Sequence, residues 1–374
     1  VTKTILFAGG GTGGHIFPSV AVWERLANRD ASLKAHFVVS ARPLDGEILR
    51  KRKLMGTAIG AQPLRLSRPW TWPGFAHAWR QSIDISHAMI RDMNVVAVVA
   101  TGGFVAGPVV RAAAHAKLPI ALVNLDAVPG KANAYLARHA TERFTVYPVA
   151  AWPDARHVGL PLSAASVGPD DQGEARRGLG LDPDRSTLFV TGGSQGAESI
   201  NRTMIRLMTM APVRSAMAGW QVLHLAGPGA AENQVLDDLK AAYRDAGLTA
   251  RVETFCNMMG LAWRAASMAI ARAGAGTVAE VWANAAPTIF LPYPHHRDQH
   301  QRRNAQPLVD SGAAMVETDR IDAELNARQL AGPICALVRN SAQRRHMTER
   351  LRATNPQDGA RVICNWLIGA LDRR

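Results

Sequence analysis

The sequence predicts an α/β chain of two doubly wound, parallel-sheet domains facing one cleft. Three observations predict it. Short apolar runs lead straight into glycine-rich turns and then into helical sequence, the strand–loop–helix order of an anion-binding α/β domain. That order opens both halves, first at Lys3 and again at Thr187. Between them, Trp152 to Asp170 is rich in Pro, Ser, Gly and Ala and breaks the pattern. We therefore expect residues 1–160 as one domain, 161–350 as a second, and 351–374 as a helix packing back on the first.

The totals agree. A chain of 374 residues is long enough for two cores. An apolar content of 47% with 20% charged residues fits a globular protein. The net charge of +13 and the pI near 10.4 favour an anionic partner: a nucleic acid, an acidic membrane surface or a phosphorylated substrate. The charge is spread along the chain, which argues against nucleic acid. Cys256, Cys335 and Cys364 are scattered, which argues against structural zinc and a disulfide framework. Strand-like sequence from Lys3 leaves no room for a signal peptide. No apolar run of roughly 18 residues exists to span a bilayer, so any membrane contact is expected to be peripheral.

In order along the chain, Lys3 to Ala8 reads as a central strand. Gly9-Gly10-Gly11-Thr12-Gly13-Gly14-His15 follows, then a helix from about Pro18 to Ala27. The loop has a loose dinucleotide-like pattern. The next strand, however, ends in Ser40-Ala41-Arg42 where that fold needs an acidic residue. His15 at the lip of the loop is a candidate base. Trp70, Trp72, Phe75 and Trp79, with Arg65, Arg68 and Arg80 around them, have the composition of an interfacial anchor. The competing reading places these rings in the core. Val95 to Ala100 and Ile120 to Val123 read as buried strands. They lead into Thr101-Gly102-Gly103-Phe104 and Asn124-Leu125-Asp126-Ala127.

In the second half Asp182-Pro183-Asp184 has the form of a metal–nucleotide signature, but its place beside Pro reads as a turn. Gly192-Gly193-Ser194-Gln195-Gly196-Ala197 ends the strand Thr187 to Thr191. Strands at Gln221, Arg251, Met268 and Thr288 alternate with helices. Arg272-Ala273-Gly274-Ala275-Gly276-Thr277 joins strand Met268 to Ala271 to an Ala-rich helix. Its small residues let amides approach an anion at the positive helix end. Glu280, one turn in, is placed to accept from vicinal hydroxyls. Pro292 to Ala305 is dense in hydrogen-bonding side chains and suits a sugar. The tail after Ala323 reads as helical, with a basic face from Arg344, Arg345, Arg350 and Arg352.

These motifs resemble the MurG family of peptidoglycan N-acetylglucosaminyltransferases, which have the glycosyltransferase B fold. The resemblance rests on Gly10 to His15 with Phe17-Pro18, Thr101 to Phe104 with Gly107-Pro108, Gly192 to Ala197, Arg272 to Glu280, and His300-Gln301 through Asn304-Ala305. It implies a donor, UDP-GlcNAc, and a polyprenyl-pyrophosphoryl muramyl-pentapeptide acceptor. It implies an enzyme held at the cytoplasmic face of the cell membrane and working without a metal or other cofactor. Donor contacts carried over by motif are Thr12, Gly13, Gly14, Ser194, Gln195, Gly196, Phe255, Cys256, Ala275, Gly276, Thr277, Glu280, His300 and Gln301. His15 or Asp126 would be the base. Two places depart. Val123-Asn124-Leu125-Asp126 stands where the family commonly has His-Glu-Gln-Asn, and Gly159-Leu160-Pro161-Leu162-Ser163 where it has Gly-Asn-Pro followed by Arg. Both bear on the acceptor. A glycolipid synthase, a UDP-sugar epimerase and a non-catalytic UDP-sugar binder are the alternatives.

Overall fold

Near-continuous apolar runs, buried on both faces, are the signature of parallel strands covered by helices, and the chain uses them twice. A computed structural model describes residues 3–11, 13–62, 69–126, 128–231, 234–295, 299–355 and 358–373. It divides into two units: Val1–Ser163 with Pro356–Arg374, and Ala164–Asn355.

The first unit holds β1 (Lys3–Gly9), β2 (Leu33–Ser40), β3 (Gly56–Ile59), β4 (Val95–Gly102), β5 (Ile120–Asn124), β6 (Glu142–Thr145) and β7 (Arg156–His157). All pairings among these strands are parallel, in the order β3-β2-β1-β4-β5-β6-β7. The order reverses between β1 and β4, so the loops leaving those two strands diverge and open a binding crevice there. Phe7 of β1 stacks on Phe37 of β2 with centroids 5.0 Å apart. Helix Gly359–Asp372 packs against helix Gly13–Ala27, and Arg25 pairs with Asp358 at 3.2 Å.

The second unit holds β8 (Thr187–Thr191), β9 (Gln221–Leu225), β10 (Thr249–Glu253), β11 (Met268–Ala271), β12 (Thr288–Phe290) and β13 (Ala314–Val316). They are also parallel, in the order β10-β9-β8-β11-β12-β13. The reversal lies between β8 and β11. Trp263 is fully buried with its edge against Phe189, centroids 4.7 Å apart.

The two Rossmann-like units expected from the sequence are present. Some boundaries differ from the reading. Helix Ser341–Thr354 stays with the second unit because Leu351 is fully buried in that core. Helix Gly13–Ala27 begins five residues before Pro18 and contains it. As the sixth residue of the helix, Pro18 removes the one amide that would bond the Gly14 carbonyl, a loss confined to the first turns. Arg344, read as part of a solvated basic face, instead bonds the carbonyls of Leu337 and Val338 and lies 5.0 Å over the Trp220 ring.

Candidate active site

In the second unit, the loops that leave β8 and β11 flank the strand reversal. Helix Ala275–Asn284 starts at Ala275, with Gly274 extended before it and no side chain capping it. Ala275, Gly276 and Thr277 thus lie in the first turn, where amides have no intrahelical acceptor and attract an anion. The Thr277 hydroxyl sits between the two loops, 3.9 Å from where a Cβ on Gly193 or on Gly274 would stand. Ser194 and Gln195 are exposed on the facing loop. Gly196 has φ +74, and a Cβ there would meet the Ala226 carbonyl at 2.7 Å. Only glycine allows that loop to press on the chain after β9.

Glu280 is held on the inner side of its helix. Its carboxylate accepts from the Trp263 indole at 2.8 Å and from the Ser166 side chain. Burial pushes its pKa up to about 7, and these two hydrogen bonds offset only part of that. Asn284, one turn further, ties the Ser166–Gly168 segment to the same helix through bonds of 2.8 Å. Phe255 is 64% exposed, and the Cys256 sulfur accepts from the Met258 amide at 3.3 Å. Gln301 accepts from the Tyr293 amide at 2.9 Å, which fixes its amide plane at the end of β12. His300 opens helix His300–Asp310.

The buried roles of two residues in this unit emerge only from the structure. Arg272 is buried and joined to Asp319 at 2.6 Å, to the Leu291 carbonyl at 2.9 Å and to the Ser199 hydroxyl at 2.7 Å. It ties the chain after β11 to the segments after β12 and β13 and to the start of the helix after β8, and is spent on protein groups. Asn304 is fully buried and reaches the Ala273 carbonyl at 3.4 Å, so it supports the loop before the helix start. Both lay inside quoted motifs, but a motif does not say which of its residues face inward. Asp182 accepts from the Asp184 amide at 3.0 Å and pairs with Arg185 at 3.1 Å, in a turn.

In the first unit, the loops after β1, β4 and β5 converge. His15 lies in the first turn of its helix, not in the loop before it. Its ring bonds to the Gly10 backbone, and Thr101 donates to the His15 carbonyl at 2.7 Å. Burial lowers the His15 pKa below its ordinary value; Asp126 and, less strongly, Asp45 pull the other way. The two candidate bases are thus electrostatic neighbours, and His15 is held neutral. Asp126 also acts on Tyr147, whose hydroxyl burial pushes upward. Gly103, at φ +79, lets the β4 loop close on the Gly10 carbonyl, 2.9 Å from where its Cβ would be. Gly14 is exposed and Gly13 begins the helix. Thr12 lies outside the described residues.

The aromatic stretch divides. Trp70 is 74% and Trp72 46% exposed. Phe75 stacks on Trp79 at 5.8 Å, and Trp79 lies over Gly107 and edge-on to Tyr135 at 6.2 Å. Trp79 therefore packs into the unit, while Trp70 and Trp72 are exposed. Arg80 is exposed; Arg65 and Arg68 lie outside the described residues.

The glycosyltransferase family 28 N-terminal domain matches residues 5–145, and the family 28 C-terminal domain matches 187–362. A protein of Geobacter sulfurreducens is 32% identical over 98% of both chains. It is named UDP-N-acetylglucosamine--N-acetylmuramyl-(pentapeptide) pyrophosphoryl-undecaprenol N-acetylglucosamine transferase. A protein of Leifsonia xyli with the same name is 32% identical over 96% of both. The chain belongs to the MurG family. It is a family 28 glycosyltransferase of the glycosyltransferase B fold, built from two Rossmann-like domains. The Acinetobacter baumannii MurG crystal structure shares the fold at a TM-score of 0.74 and 23% identity, covering 98% of this chain and 99% of that one. A UDP co-structure of Staphylococcus aureus MnaA shares it at 0.64 and 14%, covering 100% and 97%.

The two departures from the MurG family pattern have structural accounts here. Asn124 is buried and bonds the Asp126 carbonyl at 2.6 Å, and Asn133 donates to Asn124 at 2.9 Å. The substituted run thus anchors Asp126 through neutral amides. Ser163 donates to Glu24 at 3.0 Å, and Gly359 packs on the Gly159 carbonyl.

Proposed function

We propose that this chain transfers GlcNAc from UDP-GlcNAc to the 4-hydroxyl of a polyprenyl-pyrophosphoryl-MurNAc-pentapeptide, with inversion. The observation that carries the reading is the full-length match, across both units, to relatives named for that transfer. In this reading the second unit holds the donor. The Gly276 and Thr277 amides, with Ser194 on the facing loop, take the diphosphate. Glu280 accepts from the ribose hydroxyls, Phe255 and Cys256 flank the uracil, and Gln301, with His300 beside it, and the Ala275 amide read the sugar. The first unit serves the acceptor, and His15, kept neutral by burial and adjoined by Asp126, takes the proton of the attacking hydroxyl. Charge developing on UDP is met by fixed amides and a helix N-terminus, which do not reorganise during the reaction. That donor set needs no cation.

A polyprenyl acceptor stays in its bilayer, and no helix among the described residues is long and apolar enough to cross one. We place the enzyme peripherally at the cytoplasmic face, with Trp70 and Trp72 entering the headgroup region. The deciding experiment is transfer of labelled GlcNAc to the lipid-linked muramyl-pentapeptide, with UDP release followed in parallel. UDP-GlcNAc binding without transfer would reduce the protein to a UDP-sugar binder. Release without lipid labelling would point to another acceptor.

A further inference from the structure

Beneath the diphosphate loop of the second unit lies a fully buried histidine that the proposed chemistry does not use. His224, in the middle of β9, contacts the Tyr243 hydroxyl through Nδ1 at 2.8 Å and the Asn201 amide oxygen through Nε2 at 3.0 Å. Asn201 donates its amide nitrogen to the Ala226 carbonyl at 2.9 Å. The directions follow from these contacts. Because the Asn201 nitrogen is spent on a carbonyl, its oxygen must accept, and His224 Nε2 must carry the proton. Nδ1 then accepts from the Tyr243 hydroxyl. The imidazole is neutral, which its full burial enforces: its pKa is pushed down to about 3.

The relay ends where the loop is fixed. Asn201 stands on helix Glu198–Met208, directly after the loop, and its own amide bonds the Ala197 carbonyl at 3.0 Å. Ala226 and Gly227 form the surface on which Gly196 rests; a Cβ on Gly227 would come within 2.4 Å of the Gly196 Cα. The Ala226 amide bonds the Glu253 carbonyl at 2.8 Å, two residues before Phe255. One chain of hydrogen bonds therefore joins a core tyrosine to the phosphate loop and to the segment proposed to flank the base.

We propose that His224, in its Nε2–H form, is a positioning residue for donor recognition. It sets the height of loop Gly192–Ala197 through Asn201 and Ala226. The inference rests on the donor assignment above. Uniform apolar packing would fill the same space but would not fix the Ala226 carbonyl against the loop, whereas a directional relay does.

The test measures UDP affinity by calorimetry and the UDP-GlcNAc KM and kcat on the full chain. His224→Leu is expected to weaken UDP binding by about tenfold and to raise KM alike, with kcat at saturating donor nearly unchanged. His224→Gln, whose amide nitrogen can still donate to Asn201, should recover most of that loss; a merely structural role gives no such rescue. If His224→Leu does not fold, Tyr243→Phe decides. It removes one hydroxyl: weakened UDP binding supports the relay and unchanged binding overturns it. Imidazole nitrogen shifts should report the neutral Nε2–H form from about pH 5 to pH 8; the Nδ1–H form overturns the assignment. Folded variants that bind UDP like the wild type overturn this proposal alone. A wild-type chain that binds no UDP overturns the donor reading with it.

Discussion

In the second unit the amides that open helix Ala275–Asn284 have no capping side chain. In the first unit the Gly11 amide is already bonded, at 2.8 Å, to the buried carboxylate of Asp45. The same Asp45 oxygen accepts from the Ser40 amide at 3.1 Å and the Ser40 hydroxyl at 2.6 Å, and Arg42 donates to the Gly11 carbonyl at 2.6 Å. Both loops have the strand–glycine–helix sequence that signals an anion site. In the second unit no side-chain hydrogen bond caps the helix start; in the first, a carboxylate of the chain itself fills part of the glycine loop that precedes the helix. What the first loop then offers is a rigid backbone that carries His15 beside Asp126. A glycine loop alone does not tell whether an anion will come from a ligand or from the chain.

The largest test of this contrast is His15→Ala. It should lower kcat by about 10²- to 10⁴-fold, measured with saturating donor and acceptor, and leave UDP affinity unchanged in calorimetry. A parallel fall in UDP affinity would mean that the first unit also holds donor. Next comes Asp45→Ala, which strands two amides and a hydroxyl. It should cost the first unit about 3 kcal/mol in denaturant unfolding, again with UDP affinity intact. If Asp45→Ala bound UDP more tightly, the carboxylate would be guarding a second anion site.

Glu280→Gln probes the other side of the comparison. Glu280 titrates near 7 in the folded chain and near its ordinary value when unfolded. The native state therefore binds more protons between those values, so stability falls as pH rises through that window. Replacing Glu280 with Gln should add on the order of 1–3 kcal/mol of stability above pH 7 and little at pH 4. UDP affinity should nevertheless drop by roughly 1.5–3 kcal/mol. In the wild type, affinity should decline as pH falls through about 7, and the Gln variant should lose that dependence. A variant that gains stability but keeps its affinity would remove Glu280 from the donor site.

How much of this was legible depended on which signal each element gives. The long buried strands β1, β4 and β8 announce themselves as apolar runs ending in glycine, and the fold follows from them. Strands β3, β6 and β13 were not read: each is three or four residues long and partly exposed, too short to show a period. Glycine loops located both candidate sites, because only glycine permits the close approaches at Gly103 and Gly196. That Asp45, Arg272 and His224 would be buried against distant partners was not legible. Their partners are 34, 47 and 23 residues away in sequence, and nothing local marks a polar side chain that will be buried against such a partner. The aromatic stretch was legible in composition only; the separation of Trp79 from Trp70 and Trp72 depends on Gly107, which lies on another helix.

That separation gives the smallest predicted effect. Trp70 and Trp72 stand exposed at the start of helix Trp72–Asp92, while Trp79 covers Gly107 within the unit. If the exposed pair meets the bilayer, binding should favour anionic vesicles over neutral ones and weaken with salt, since nearby arginines such as Arg80 add an electrostatic component. Trp70→Ser with Trp72→Ser should lower partition into anionic vesicles by on the order of 1 kcal/mol per ring. It should reduce transfer to the polyprenyl acceptor and spare transfer to a short-chain soluble analogue, because the site itself is untouched. Trp79→Ser should do the reverse: a lower unfolding midpoint, with vesicle partition of the folded protein unchanged. If the double variant partitions like the wild type, these rings do not carry membrane contact and another surface of the first unit must. If Trp79→Ser alone abolishes partition without loss of stability, the division of the stretch drawn from Gly107 is wrong.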